Sequence, residues 1–322
     1  MEPLVFTPIL KRIRWGGRRL GTLLGKPLGP EADFAESWEI ADHADGTSVV
    51  SEGPFQGRSL ADLLRTHNEE LLGKQAGATQ FPLLIKFLDA NDWLSLQVHP
   101  DDRQAPTYAA GENGKTEAWI ILEAAPDSRI CCGLRDGVTP EQLQAALAAG
   151  DPQPLLHIYP VKAGDCVYVP AGTVHALGPG IVLAEVQEQS NLTFRLFDWG
   201  RLGTDGKPRP IHIEESIQCT RFDRGPVHCV RPAQLCDQDH RFEELVRCDH
   251  FVIRRHRAVD AWHLRTDGRF RILIGMSGSG EVCTEQSTID LQTGRTVLIP
   301  ANCPELTIHP AAEMTLLEIM CP

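Results

Sequence analysis

The sequence has no excess of positive charge: 31 Lys and Arg stand against 43 Asp and Glu, a formal net charge of −12. A protein that works through a general basic field on nucleic acid or anionic lipid is thereby excluded, whereas a local cationic pocket for an anionic substrate is not. No uncharged apolar run approaches the roughly 20 residues that cross a bilayer. The opening Met1-Glu2-Pro3-Leu4-Val5-Phe6 places its acid ahead of the basic run that follows, the wrong order for a secretion signal. None of the ten cysteines is separated from another by two residues, so the usual thiolate zinc knuckle is missing. The expectation is a reduced, cytoplasmic protein whose thiols are mostly buried.

What is present is a chain of 322 residues, long enough for about two domains at roughly 150 residues each. Its 28 glycines and 23 prolines, spread among recurring aliphatic runs, predict many turns and short strands. Helical spacing of Leu60, Leu63, Leu64, Leu71 and Leu72 predicts a helix over 58–73, stopped by Gly73. Thr139-Pro140-Glu141-Gln142 has the form of a capping box and opens a second helix that runs to Gly150. Strands are expected within 81–96, 118–122, 155–198, 269–274, 280–284 and 296–299. Gly164 to His175 reads G-x5-P-x-G-x2-H, and Gly294 to Glu305 matches it without a gap as G-x5-P-x-N-x2-E. The fold class expected is therefore mainly β: two jelly-roll barrels with short helical insertions, the second having lost a histidine. The division is expected at 1–240 and 241–322.

Four stretches could carry chemistry. In Ser95-Leu96-Gln97-Val98-His99, period-two alternation sends Gln97 and His99 to one face, as metal ligands or as polar residues facing a solvated pocket. Gly114-Lys115-Thr116-Glu117 resembles a phosphate loop, but Ala109 stands where its first glycine is required and a strand follows instead of a helix. Lys115 and Glu117 remain as a same-face pair, functional or merely salt-bridged. His175 follows a shaped turn and is either a ligand or structural. Arg195, on a strand with Phe194 and Leu196 on its other face, points into a site or snorkels out of a barrel mouth. Together the two imidazoles, one carboxylate and one amide oxygen suit a borderline divalent cation such as zinc, with manganese, iron or cobalt as alternatives.

The runs Phe34 to Ile40, Pro82 to Leu88, Leu94 to Asp102, Gly114 to Trp119, Tyr168 to His175 and Thr193 to Arg201 resemble the type I mannose-6-phosphate isomerase family in its short bacterial form, in that family's order. The resemblance weakens after about Cys219. It implies a double cupin fold and an aldose–ketose isomerase that interconverts mannose 6-phosphate and fructose 6-phosphate through a cis-enediol. Carried over by position, the ligands of one zinc ion per chain would be Gln97, His99, Glu117 and His175. Arg195 and Lys115 would be catalytic, and Trp38, Glu39 and Lys86 would belong to the substrate pocket. The base stays open between Lys115 with a depressed pKa, a pocket carboxylate and a hydroxide on the metal. The resemblance further implies a hexose 6-phosphate as partner, neither nucleic acid nor membrane, and a monomer or weak homo-oligomer. A non-catalytic sugar-phosphate-binding cupin is the alternative. Glu305 in place of the histidine implies that the second barrel holds no metal.

Overall fold

The computed structural model describes residues 1–203, 206–237, 240–303 and 305–322. Its N-terminal unit pairs a six-stranded sheet with a five-stranded one. The larger sheet has the order Cys166–Val169, Glu117–Ala124, Ile181–Glu188, Leu83–Ala90, Phe34–Ile40, Ile9–Gly17. The smaller runs Leu156–Pro160, Arg129–Leu134, His175–Leu177, Leu96–Val98, Phe194–Phe197, and every pairing in both is antiparallel.

The C-terminal unit repeats this plan. Thr296–Ile299, Arg271–Ser277, Met314–Met320, Val252–Ala258, His240–Arg247 and Ala233–Asp237 follow the order of the first large sheet. Thr288–Gln292, Ser279–Cys283, Leu306–Pro310 and Trp262–Leu264 follow that of the small one, with no counterpart of Phe194–Phe197 among the described residues. The repeated sequence segments therefore occupy equivalent places: Cys166–Val169 and Thr296–Ile299 are both four-residue edge strands, each two residues past a glycine with φ above 80°. Pro304, inside the second copy, lies outside the described residues. The C-terminal sheet begins upstream of 240, because Ala233–Asp237 pairs in register with His240–Arg247.

The two large sheets pack back to back. Ile85, Phe87, Ala118, Ile120, Val182, Ala184 and Val186 share one core with Phe251, Ile253, Ile272, Ile274, Leu317 and Ile319 of the second unit. Strands buried on both faces read as unbroken apolar runs, which is why Leu83–Ala90 shows no polar alternation. The alternate residues point into the barrels, and that parity places the polar ones. The helix expected over 58–73 is two short helices, Leu60–Thr66 and Asn68–Leu72, broken at His67. The Asn68 amide there donates to Leu64 O and Ala78 O and its oxygen accepts from Gly77 N, fixing the following loop in place of a continuous helix. Gly73 ends the pair at φ 55°, against Gly268 O, where no side chain would fit. Pro140–Ala148 carries the complete capping box expected of Thr139 and Gln142.

Candidate metal centre and catalytic cavity

Three neighbouring strands of the small sheet and one of the large sheet bring the polar residues together. Gln97 lies opposite His175 in one pairing and opposite Arg195 in the next. Glu117 starts the strand beneath them, and His99 follows Val98 at a strand end. The ligand atoms of His99, Glu117 and His175 all lie within 4.8 Å of one another, and all three residues are buried. Each imidazole is held by the backbone: His99 Nδ1 is 2.9 Å from Leu192 O and His175 Nδ1 is 2.9 Å from Thr173 O. That arrangement protonates Nδ1 and turns both Nε2 lone pairs to the centre, where His99 Nε2 meets Lys115 Nζ at 3.3 Å and His175 Nε2 meets the Gln97 amide at 3.1 Å. His175 Nε2 is 3.4 Å from Glu117 Oε1, and His99 Nε2 is 3.6 Å from Oε2.

Both carboxylate oxygens of Glu117 are fully buried without a hydrogen bond, although Lys115 Nζ approaches Oε2 as an ion pair at 3.0 Å. A buried carboxylate left in this state costs free energy unless a cation completes it. The donor set therefore fits a metal ion. Gln97 Nε2 faces His175 Nε2 at 3.1 Å, and half a turn of the amide presents its oxygen, the ligating atom, at the same place. Burial pushes His175 down to about 4, and burial, Lys115 and His175 together push His99 well below the ordinary imidazole range. Both rings are thus held neutral at pH 7, the form in which imidazole can ligate a metal.

Beside the cluster, reached through Gln97 and Lys115, opens a cavity of about 330 Å³. Gln97, Lys115, Lys86 and Arg195 line it, together with Glu36, Glu185, Arg209 and His212. Burial opposes the charge on Lys115, but Glu117 and Glu185 prevail and hold it above the usual lysine range. A base function through a depressed Lys115 is therefore not what its surroundings favour. Arg195 donates through Nη1 to Pro210 O at 2.8 Å, while its buried Nε has no partner. Lys86 sits 3.4 Å from Glu185 and 3.7 Å from Glu36.

Two expected pocket residues stand elsewhere. Trp38 is buried beside the cavity, its Nε1 donating to Glu36 at 2.7 Å and its ring 5.2 Å from Lys86 Nζ, so it supports the wall without lining it. Glu39 lies one residue further and hence on the opposite strand face, at the seam between the barrels. There it accepts from Lys26 at 2.7 Å and Ser37 at 2.6 Å, and Lys26 also donates to Gly294 O of the second unit. Two further cavity residues, Glu185 and Arg209, carried no expectation from the sequence, and the same parity explains the first. Glu185 is an acid in mid-strand among Ile181–Glu188, all of it buried, and faces the cavity opposite Lys86 and Trp119. Its signal was a lone charge inside an apolar run. Burial, then Glu117, holds it above the usual carboxylate range. Arg209 gave no such signal. Asp198, which also binds Arg201, aims it at the cavity from a loop.

Fold and site define a double-barrel cupin whose described residues include a buried histidine–carboxylate group able to hold a metal ion. "Phosphomannose isomerase type I, catalytic domain" matches residues 5–135. Mannose-6-phosphate isomerase ManA of Bacillus subtilis is 34% identical over 313 residues, covering 97% of each chain. The mannose-6-phosphate isomerase of Streptococcus mutans is 36% identical over 299 residues, 93% of this chain and 92% of that one. A crystal structure of mannose 6-phosphate isomerase from Bacillus subtilis superposes with a TM-score of 0.92 at 30% identity, covering 99% of both chains. A variant of phosphomannose isomerase from Salmonella typhimurium, at 18% identity and TM-score 0.79, shares the fold. The chain belongs to the type I phosphomannose isomerase family, whose members are metal-dependent aldose–ketose isomerases.

Proposed function

We propose that this chain interconverts mannose 6-phosphate and fructose 6-phosphate, with one zinc ion held by Gln97, His99, Glu117 and His175. The observation that carries this reading is the Glu117 carboxylate, buried between two inward-facing Nε2 atoms with neither oxygen hydrogen-bonded, next to a cavity that Gln97 and the cations Lys86, Lys115, Arg195 and Arg209 line. When bound, zinc supplies Lewis-acid polarisation of the sugar oxygens at C1 and C2.

The protein's own groups account for the rest. Isomerisation takes one proton from C2 of the open-chain aldose and returns one to C1 through a cis-enediol. Glu185 is the cavity carboxylate suited to carry it, since burial beside Glu117 raises its basicity. Lys115, held charged, and the partnerless Arg195 Nε donate to the oxygens where negative charge develops. Arg209, fixed by Asp198, offers a guanidinium to the phosphate, whereas Lys86 is already paired with Glu36 and Glu185.

Buried thiols at Cys131, Cys132, Cys166 and Cys303 support a reducing, cytoplasmic setting. No helix is long and apolar enough to cross a membrane, among the described residues. Exposed large apolar side chains, among those residues, are few, which supports a monomer or weak homo-oligomer. The test is a coupled assay for fructose 6-phosphate, with and without chelator. Turnover that stops on chelation and returns with zinc is expected; absent turnover overturns the isomerase reading, and chelator-insensitive turnover overturns the metal site.

A further inference from the structure

The loop that carries Lys115 and Glu117 is held from behind, on the side away from the cavity. Glu188 ends the strand Ile181–Glu188, and its parity turns the side chain toward the seam between the barrels. Its carboxylate Oε1 accepts the Thr116 N–H at 2.6 Å, and its own N–H donates to Thr116 O at 3.1 Å. Both backbone groups of the residue between Lys115 and Glu117 are thus fixed by one residue. Asp102 Oδ1 accepts from Gly114 N at 2.8 Å, and Lys115 N donates to Pro100 O at 3.0 Å, so the loop is pinned at three successive points. The other Glu188 oxygen, Oε2, meets His250 Nδ1 at 3.0 Å. His250 belongs to the turn between His240–Arg247 and Val252–Ala258, inside the second barrel. The donor atoms of Asp102, Glu188 and His250 lie within 4.8 Å of one another.

We infer that Glu188 is a positioning residue for the metal centre, and that the second barrel takes part in the reaction through it, His250 holding the carboxylate that holds Thr116. The physical basis is reach. Glu117 and Lys115 leave the backbone on either side of Thr116, so rotation of that peptide swings the ligand carboxylate and the ammonium together. Displacements well under an ångström are enough to spoil a ligand set or a donor aimed at an oxyanion. Glu188 is itself buried, with a side chain 7% exposed, so its hydrogen bond to Thr116 N is shielded from water. His250 then prevents the carboxylate from turning away into the neighbouring open cavity that Glu188 and His250 both line. This gives the C-terminal unit a task in the chemistry although its own barrel lacks the histidine at position 305.

The inference rests on the proposed zinc site for its affinity readout and on the isomerase reading for its kinetic one, whereas hydrogen exchange needs neither, and its test uses the full chain. Glu188→Ala is expected to weaken zinc binding about 10- to 100-fold in competition with a chromophoric chelator, as loss of an outer partner of a metal ligand does. kcat should fall by a similar factor while KM stays within about twofold, and the 114–117 amides should lose hydrogen-exchange protection. Glu188→Gln keeps an acceptor oxygen for Thr116 N and should restore most of both. His250→Gln should weaken zinc binding by a smaller factor in the wild-type background and by none in Glu188→Ala, since the two act in series. Unchanged zinc affinity and exchange in folded Glu188→Ala, or additive effects of the two substitutions, overturns the inference. If Glu188→Ala does not fold, His250→Gln decides alone: unchanged zinc affinity and unchanged kcat overturn it. A wild-type protein that binds zinc but shows no turnover defeats the isomerase reading and leaves the affinity and exchange tests standing.

Discussion

Both imidazoles and Arg195 are fixed by a backbone partner that turns the working atom toward the centre or leaves it open. His99 and His175 give Nδ1 to carbonyls, and Arg195 spends Nη1 on Pro210 O while Nε stays open. Removing a ligand and removing a donor should therefore separate. His99→Ala is expected to lose metal and activity together, by elemental analysis and assay. Arg195→Ala should keep the metal and lower kcat by about 10²–10³, the usual worth of one oxyanion donor; retained turnover would count against its role. The depressed imidazoles also set a pH dependence for the metal-free protein. Between the ordinary 6.5 and about 4 the unfolded chain binds more protons than the folded one. Stability in that window rises with pH and is lost on acidification. Melting curves of chelated protein should show a falling Tm toward pH 4, with a shallower slope in His175→Phe. Equal slopes would mean that this ring is not held neutral.

At the scale of the strand, parity decides which polar residues meet the substrate. Glu36 and Trp38 turn toward the barrel interior, and Glu39 turns to the seam with Lys26. The Lys26–Glu39 pair is buried on both sides, 7% and 5% exposed, and loss of one partner leaves the other charge stranded. Lys26→Met is thus expected to cost about 3–5 kcal/mol in denaturant unfolding. KM and kcat of the folded protein should stay near wild type. A raised KM with unchanged stability would return Glu39 to the pocket. The cluster was legible in part: spacing and turn chemistry single out Gln97 and His99 two apart, Glu117 opening an apolar strand and His175 behind a proline–glycine turn, while only the family resemblance joins them into one ligand set. The seam was not. A strand buried on both faces hides its alternation, so neither the outward aim of Glu39 and Glu188 nor the inward aim of Glu185 shows in a hydrophobic pattern. Which side is cavity and which is barrel-to-barrel contact is set by tertiary packing alone. The helical break at His67 was equally hidden, since all the leucines on either side are buried and their spacing fits one helix as well as two.

At the scale of the whole molecule, the two barrels share a strand order but differ in what completes a buried carboxylate. Glu318 is the fifth residue of Met314–Met320 and Glu185 the fifth of Ile181–Glu188, the equivalent strand. Arg271 opens Arg271–Ser277 as Glu117 opens Glu117–Ala124. Where the first barrel has the Glu117 carboxylate, with Lys115 near one oxygen and neither oxygen hydrogen-bonded, the second has a guanidinium that binds Glu318 directly. Arg271 Nε donates to Glu318 Oε1 at 2.8 Å, and His256 Nε2 meets Oε2 at 3.1 Å, so both oxygens are satisfied. A metal ion there would have to displace a fixed positive charge in a buried setting, which Coulomb repulsion makes unfavourable. The sequence repeat suggested that the lost histidine, Glu305, is what disarms the second copy. The structure points to the arginine instead, because Glu305 is an exposed residue paired with Arg265, both side chains more than 60% exposed. Glu305→His is therefore expected to leave zinc content at one per chain by elemental analysis, and to change stability by no more than about 0.5 kcal/mol, as exposed substitutions do. A second equivalent of zinc in that variant would mean that the arginine does not exclude metal, and that position 305 alone had closed the second site.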